Sequence, residues 1–393
     1  MASDTHNNRG TIQQTLDDYL AQLREQSDRM MGYPAARDYN YDIIKPFLDV
    51  TINNCGDPFV AGTYRGHSHQ FELEVLAFWA ELMRAPADNW WGYVTNGGTE
   101  GNLYGLYLAR ELLPNSVVYY SKDSHYSVAK NLHFLNMRSI MIRAQPSGEI
   151  DYEDLRETIR INRDVPPVIF ANIGTTMTEA KDDLAKIQQI MHDLVVPKYY
   201  IHADAALCGS FAPFLNPRPK FDFADGAHSL SISGHKFIGS PIPCGIVLAL
   251  KENVNRIARS VAYIGNLDTT VTGSRNGLTP LILWYAMKCF GRQGMAERAQ
   301  RSVELAAYAL ERLKSIGIKA WRNPNAITVL FPEPPADIVA KWQLASANGE
   351  SHIILMPFLT KTHVDELVRD LQAPSTHDTT RSDTARETNK HRN

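Results

Sequence analysis

"PVIFANIGTTMTEAKDDLAKIQQIMHDLVVPKYYIHADAAL", residues 167–207, decides the fold class. Residues 167–174 form one short apolar run and residues 199–207 form another. Between them, "DDLAKIQQIMHDL" (182–194) carries its apolar residues at helical spacing. Strand, helix and strand in this order build a parallel sheet, whose strands are apolar throughout because helices cover both faces.

The alternation extends in both directions. Strands are expected at 90–96, 116–121 and 139–144 before this stretch, and at 229–233 and 245–250 after it. Helical segments such as 99–112 and 151–160 lie between them. The fold class is therefore α/β, with a mostly parallel central sheet in a large domain over residues 61–275. Residues 276–315 read as helical, and "AITVLF" (326–331) and "HIILMP" (352–357) as strands of a smaller C-terminal α/β domain over 276–372. Ahead of the large domain, residues 1–60 form an N-terminal arm, with Ile12, Leu16, Leu20 and Leu23 at helical spacing. The polar tail, 373–393, is expected to be disordered.

Composition narrows the function classes. The chain has 393 residues, a formal net charge of -3 and 44% hydrophobic residues, which points to neither nucleic acid nor an anionic membrane as partner. No apolar run approaches the ~20 residues that span a bilayer. The opening "MASDTHNNRG" lacks the apolar core of a secretion signal. Cys55, Cys208, Cys244 and Cys289 lie far apart, with neither a disulfide framework nor zinc-ligand spacing. A cytoplasmic protein without a metal is expected.

Four features carry chemistry. "TNGGTEGN" (95–102) follows a strand and opens a helix, so Gly97, Gly98 and Thr99 can turn backbone N–H groups toward a phosphate at a helix N-terminus; a plain tight turn would use the same glycines. Asp204, in "HADAA" (202–206), ends a buried strand, where open α/β sheets place their ligands, while His202 beside it reads as a hydrogen-bonded core histidine. His125, in "YYSKDSHYSVAK" (119–130), stands just after another strand, placed to stack on a planar ring or to move protons. Lys236 stands alone in the apolar, glycine- and proline-punctuated "SISGHKFIGSPIPCGI" (231–246), where a charged amine is costly unless it is neutralised or paired. One ligand satisfies all four: pyridoxal 5'-phosphate. Its aldehyde takes a lysine amine, its phosphate takes N–H donors, and its ring nitrogen takes a carboxylate.

These residues lie in longer motifs: "INNCGD" (52–57), "WGYVTNGGTEGN" (91–102), "FANIGTT" (170–176), "SGHKFIGSPIPCGI" (233–246), "TGSRNG" (272–277) and "WRNPNAITV" (321–329). Through them the chain resembles the pyridoxal-phosphate-dependent group II amino-acid decarboxylases over residues 30–370, most closely their bacterial histidine decarboxylase branch. The resemblance implies an aspartate-aminotransferase-like fold and a homodimer with active sites at the interface, the N-terminal arm wrapping the partner. It implies that Lys236 holds the cofactor covalently, that Asp204 pairs with the ring nitrogen, and that Ala206 and His125 cover the two ring faces. Gly97, Gly98, Thr99, Ser233 and His235 would surround the phosphate. A proton donor to the α-carbon is sought in 262–274, with Tyr263 the candidate.

The implied reaction turns L-histidine into histamine and carbon dioxide. "YRGHSHQFE" (64–72) and "SHIILMPF" (351–358) look closer to the plant-type serine decarboxylases, so ethanolamine from L-serine is the alternative; an aminotransferase on the same fold stays open behind both. Tyr64 and the pair His67 and His69 are the candidates to line the substrate pocket; a polar arm segment would read the same way. Leu278 departs from the family pattern, which commonly has histidine after "NG".

Overall fold

The computed structural model describes residues 2–261 and 265–373, without the side chains of residues 2–8; Tyr263 and the polar tail from residue 374 lie outside the described residues. The chain opens with a long helix, α1 (Ala2–Asp28), followed by α2 (His69–Leu82). The central sheet is built from β1 (Trp91–Thr95), β2 (Val117–Ser121), β3 (Arg138–Ile142), β4 (Pro167–Asn172), β5 (Tyr200–Asp204), β6 (Ser229–Ser233) and β7 (Gly245–Ala249). Its helices are α3 (Gly98–Leu112), α4 (Ser127–Phe134), α5 (Tyr152–Ile161), α6 (Leu184–Asp193) and the short α7 (Lys251–Val254). A two-stranded ribbon of β8 (Arg259–Val261) and β9 (Asn266–Asp268) precedes α8 (Leu278–Ser315), which is broken at Gly291 by a φ of +56°. A second sheet follows, of β10 (Thr328–Pro332), β11 (Ala345–Ala347) and β12 (Glu350–Ile354), with α9 (Ala336–Trp342) and α10 (Lys361–Gln372).

The strands of the central sheet run in the order β1-β7-β6-β5-β4-β2-β3. All neighbours are parallel except β7, which is antiparallel to both β1 and β6. The reason is the connection. Residues 234–244 join β6 to β7 without a crossover helix, and so short a link can only reverse the chain. Because β7 runs backwards, β1 on its far side points the same way as β5 and β6. Gly245 then lies opposite both Thr95 and Ser233, bringing the C-terminal ends of β1 and β6 to one edge.

Side chains alternate between two buried layers, as the pleat requires. Ile201, Ala203, Leu230 and Ile232 belong to the larger cluster, while Tyr200, Val168 and Phe170 belong to the layer with α3 residues Tyr104 and Leu108. The same parity places His202, Asp204, Ser229, Ser231 and Ser233 on the α3 side. All four cysteines are free, and no helix among the described residues is long and apolar enough to cross a membrane.

A strap of residues 31–41 crosses the β6–β7 connection. The Ala36 N–H donates to the Lys236 carbonyl (3.1 Å), and the Tyr41 hydroxyl donates to the Gly239 carbonyl (3.0 Å). Arg298, fully buried on α8, donates to both oxygens of Asp38 and to the Phe237 carbonyl (2.9 Å). Its guanidinium also lies 4.7–5.0 Å from the ring centroids of Tyr39, Phe237 and Phe290. Arg298→Met would keep the volume and strand the Asp38 carboxylate. Urea unfolding should then show a loss of about 3–5 kcal/mol, the usual consequence of removing one partner of a buried pair.

Candidate active site

The site lies at the C-terminal edge of the sheet, where β1, β5 and β6 end. Gly97 has a φ of +147°, which residues with side chains rarely adopt, and it turns the chain from β1 into the first turn of α3. The first N–H groups of that helix have no acceptors within it. A Cβ on Gly98 would stand 2.8 Å from Ser233 Oγ and 3.1 Å from Ala206 Cβ. The glycine cradle, the strand end carrying Ser233 and the "HADAA" turn are thus in contact. His235 reaches the same place, with its Cε1 3.8 Å from an ideal Cβ on Gly97 and its Nδ1 2.9 Å from the Cys244 carbonyl oxygen.

Asp204 is buried, and both of its oxygens accept hydrogen bonds: Oδ2 from Asn102 Nδ2 (2.8 Å) and Oδ1 from the Ala206 N–H (3.1 Å). Lys236 and His125 feel its charge. Burial lowers the pKa of the Lys236 amine, and the Asp204 carboxylate opposes that shift without reversing it. Burial also lowers the pKa of His125, with Asp204 pulling upward and Lys236 downward. His125 Nδ1 accepts the Ser127 backbone N–H (3.3 Å) and lies 2.8 Å from the Ser127 hydroxyl, which leaves Nε2 as the protonated nitrogen of the neutral ring.

The donor set fits pyridoxal phosphate. Among the described residues, the Lys236 amine has no hydrogen bond or ion pair, so its nucleophile is free. Among the described residues the Thr99 and Ser233 hydroxyls and His235 Nε2 have no hydrogen-bond partner, and they stand beside a helix N-terminus suited to a phosphate. No group of three or more His, Cys, Asp or Glu among the described residues is arranged to hold a metal ion.

The structure therefore brings together Gly97, Gly98, Ala206, Ser233 and His235 by contact, and His125, Asp204 and Lys236 by charge. Thr99 is in the first turn of α3, and the Asn131 amide donates to its carbonyl (3.0 Å). Tyr64 and His67 stand apart. Tyr64 is exposed, and His67 stacks on the buried His69 with ring centroids 4.3 Å apart. Among the described residues no hydrogen bond or ring contact joins either of them to Lys236, Asp204 or His125. Leu278 begins α8, with its N–H on Asn276 Oδ1 (2.8 Å), and packs beside Ile44 and Leu281.

Two further buried groups tie together the elements around the site. Arg275 pairs with Glu72 and donates to the Gly56 carbonyl, tying α2 to the loop that leads into α8. Asn102 carries the Asp204 contact. Its only signal is spacing, since positions 98, 101, 102 and 105 share one face of α3.

Comparison with known proteins gives the same picture. Residues 66–319 match the model of the pyridoxal-dependent decarboxylase conserved domain. The histidine decarboxylase of Mesorhizobium japonicum is 49% identical over 359 residues, covering 91% of this chain and 97% of that protein. That of Morganella morganii is 45% identical over 364 residues, covering 92% and 96%. Among solved structures, L-methionine decarboxylase from Streptomyces sp.590 has a TM-score of 0.84 at 27% identity, over 92% of this chain and 94% of its own. Glutamate decarboxylase from Lactobacillus brevis shares the fold, with a TM-score of 0.70 at 17% identity over 88% of this chain and 87% of that one.

Gly98→Ala isolates the cradle, because its methyl group would crowd Ser233 Oγ and Ala206 while a helical alanine costs nothing in propensity. Fluorescence titration of the apoprotein with pyridoxal phosphate should show affinity weakened about tenfold or more, a loss of about 1.4 kcal/mol, with the melting temperature little changed.

Proposed function

The chain belongs to the pyridoxal-dependent decarboxylases, and from that membership we propose that it converts L-histidine to histamine and carbon dioxide. One observation supports the chemistry most directly: a lysine amine without a hydrogen-bond or ion-pair partner among the described residues, in the field of the Asp204 carboxylate, at the sheet edge that carries a helix N-terminus. The choice of histidine rests on the relatives of that name at 45% and 49% identity.

Pyridoxal phosphate, when bound, supplies the conjugated ring that takes up the electron pair left by departing carbon dioxide. Lys236, whose amine pKa is lowered by burial, would hold the cofactor covalently through its aldehyde carbon. Asp204 would pair with the protonated ring nitrogen, and His125 and Ala206 would cover the two ring faces. The N-terminus of α3, with Thr99, Ser233 and His235, would hold the phosphate. Tyr263 is the proposed proton donor to the α-carbon, and Tyr64 and His67 are the candidates to meet the substrate side chain. A polar pocket of this kind would discriminate strongly, because the wrong substrate leaves its buried groups unpaired.

Incubating the purified protein with pyridoxal phosphate and single amino acids, and identifying the amine by mass, tests the assignment. Histamine from histidine, with carbon dioxide and no need for a keto acid, is expected; Lys236→Ala should abolish both turnover and the absorbance of the covalently held cofactor. Ethanolamine from serine in place of histamine would transfer the assignment to the serine enzymes.

The proposal includes a cytoplasmic homodimer. Its support is the apolar face of α1, where Ile12, Leu16, Leu20 and Leu23 are 53%, 58%, 44% and 39% exposed at helical spacing. The double change Leu16→Glu and Leu20→Glu should shift the sedimentation coefficient from dimer to monomer at micromolar protein. An unchanged coefficient would remove α1 from the interface.

A further inference from the structure

Asp204 stands at the head of a chain of buried polar groups. Asn102 Nδ2 lies 2.8 Å from Asp204 Oδ2, and Asn102 Oδ1 lies 2.9 Å from His202 Nε2. His202 Nδ1 lies 2.7 Å from Ser229 Oγ. Asn102, His202 and Ser229 are 2%, 0% and 0% exposed, so water does not substitute for any link.

Every link has one polarity. An ionised carboxylate only accepts, so Asn102 must present its NH2 group to Asp204. The amide oxygen then faces the imidazole, which must donate from Nε2. Nδ1 is left bare and accepts the Ser229 hydroxyl proton. Burial pushes the pKa of His202 down to about 3, so the neutral ring persists across the working pH range. Turning the amide over would set its oxygen against the carboxylate and its NH2 against an imidazole N–H. The packing is specific too, because a Cβ on Gly105 would fall 2.0 Å from His202 Nδ1. The ring fits only because α3 has a glycine there.

We propose that Asn102, His202 and Ser229 form a directed hydrogen-bond relay that fixes the orientation and charge of Asp204, making them positioning residues for the ring nitrogen of the cofactor. This rests on the reading of Asp204 as the partner of that nitrogen. Asn102 occupies Oδ2 with an N–H donor, while Oδ1, held by one backbone N–H, keeps a lone pair for the ligand.

Asn102→Asp tests the relay at constant shape. It keeps an acceptor for His202 and puts a second carboxylate against Asp204, and two such groups share a proton. The readout is the 15N signal of protein reconstituted with pyridoxal phosphate labelled at the ring nitrogen. Wild-type protein should show a protonated nitrogen. Asn102→Asp should move the signal toward the unprotonated position at wild-type cofactor stoichiometry, and kcat should fall about 10- to 100-fold with little change in KM. Ser229→Ala, which removes only the hydroxyl under Nδ1, should move the signal part of the way, and it decides the matter if Asn102→Asp does not fold. A wild-type signal in the folded variants overturns the relay. An unprotonated nitrogen in the wild-type protein overturns the reading of Asp204 instead.

Discussion

The approach of α3 to the central sheet is set by missing side chains. Gly98, Gly101 and Gly105 lie over Ser233, Ser231 and His202, and a Cβ at these glycines would fall 2.8, 2.3 and 2.0 Å from the nearest side-chain atom. The helix can lie this low only without those methyl groups, and the serines on β6 keep the facing surface shallow. Ser231 completes the fit by donating to the Gly98 carbonyl (3.2 Å). Two consequences follow from one close contact: the first turn of α3 reaches the sheet edge, and Asn102 reaches Asp204.

The lysine is held by a different device. Its turn is the short reversal between β6 and β7, and the carbonyls of that turn are taken up by Ala36, Arg298 and Tyr41. The backbone is anchored on several sides while the amine has no partner among the described residues. That division suits a nucleophile, because the anchoring groups bind the peptide and leave the side chain's reactivity alone. It also explains a buried arginine among aromatic rings. Arg298 donates to the carbonyl next to Lys236 and brings Asp38 of the strap with it.

Much of this was legible in the sequence, and the rest was hidden for physical reasons. All seven central strands announce themselves as short apolar runs, but the reversed direction of β7 does not, since a strand buried on both faces is apolar either way. Only the missing helix between 233 and 245 betrays it. Lys236, Asp204 and the glycine cradle are legible because each is costly or special where it stands. Asn102 carries no such mark: one asparagine in a helix is ordinary until the parity of Tyr200, His202 and Asp204 puts its partners on the same face. Arg298 is less legible still, in a polar helical run with its partner Asp38 260 positions away. The short β11, and the ribbon of β8 and β9, have too few apolar residues to stand out.

The charges around the lysine point the same way as the geometry. Burial lowers the pKa of His125, His235 and His202, so these imidazoles stay neutral and add no positive charge to oppose a protonated ring. The Cys208 thiol is pushed up by burial and stays protonated. Asp204 is left as the formal charge that Lys236 and His125 both feel, and at the other end the cradle offers N–H groups and hydroxyls to an anion. A ligand with a cationic ring nitrogen and an anionic phosphate meets its complement at each pole. Both poles belong to α3, since Gly98 opens the cradle and Asn102, about 6 Å further along the axis, holds the carboxylate. Because one rigid helix sets both, lifting it off the sheet would loosen the glycine cradle and release Asp204 in the same motion.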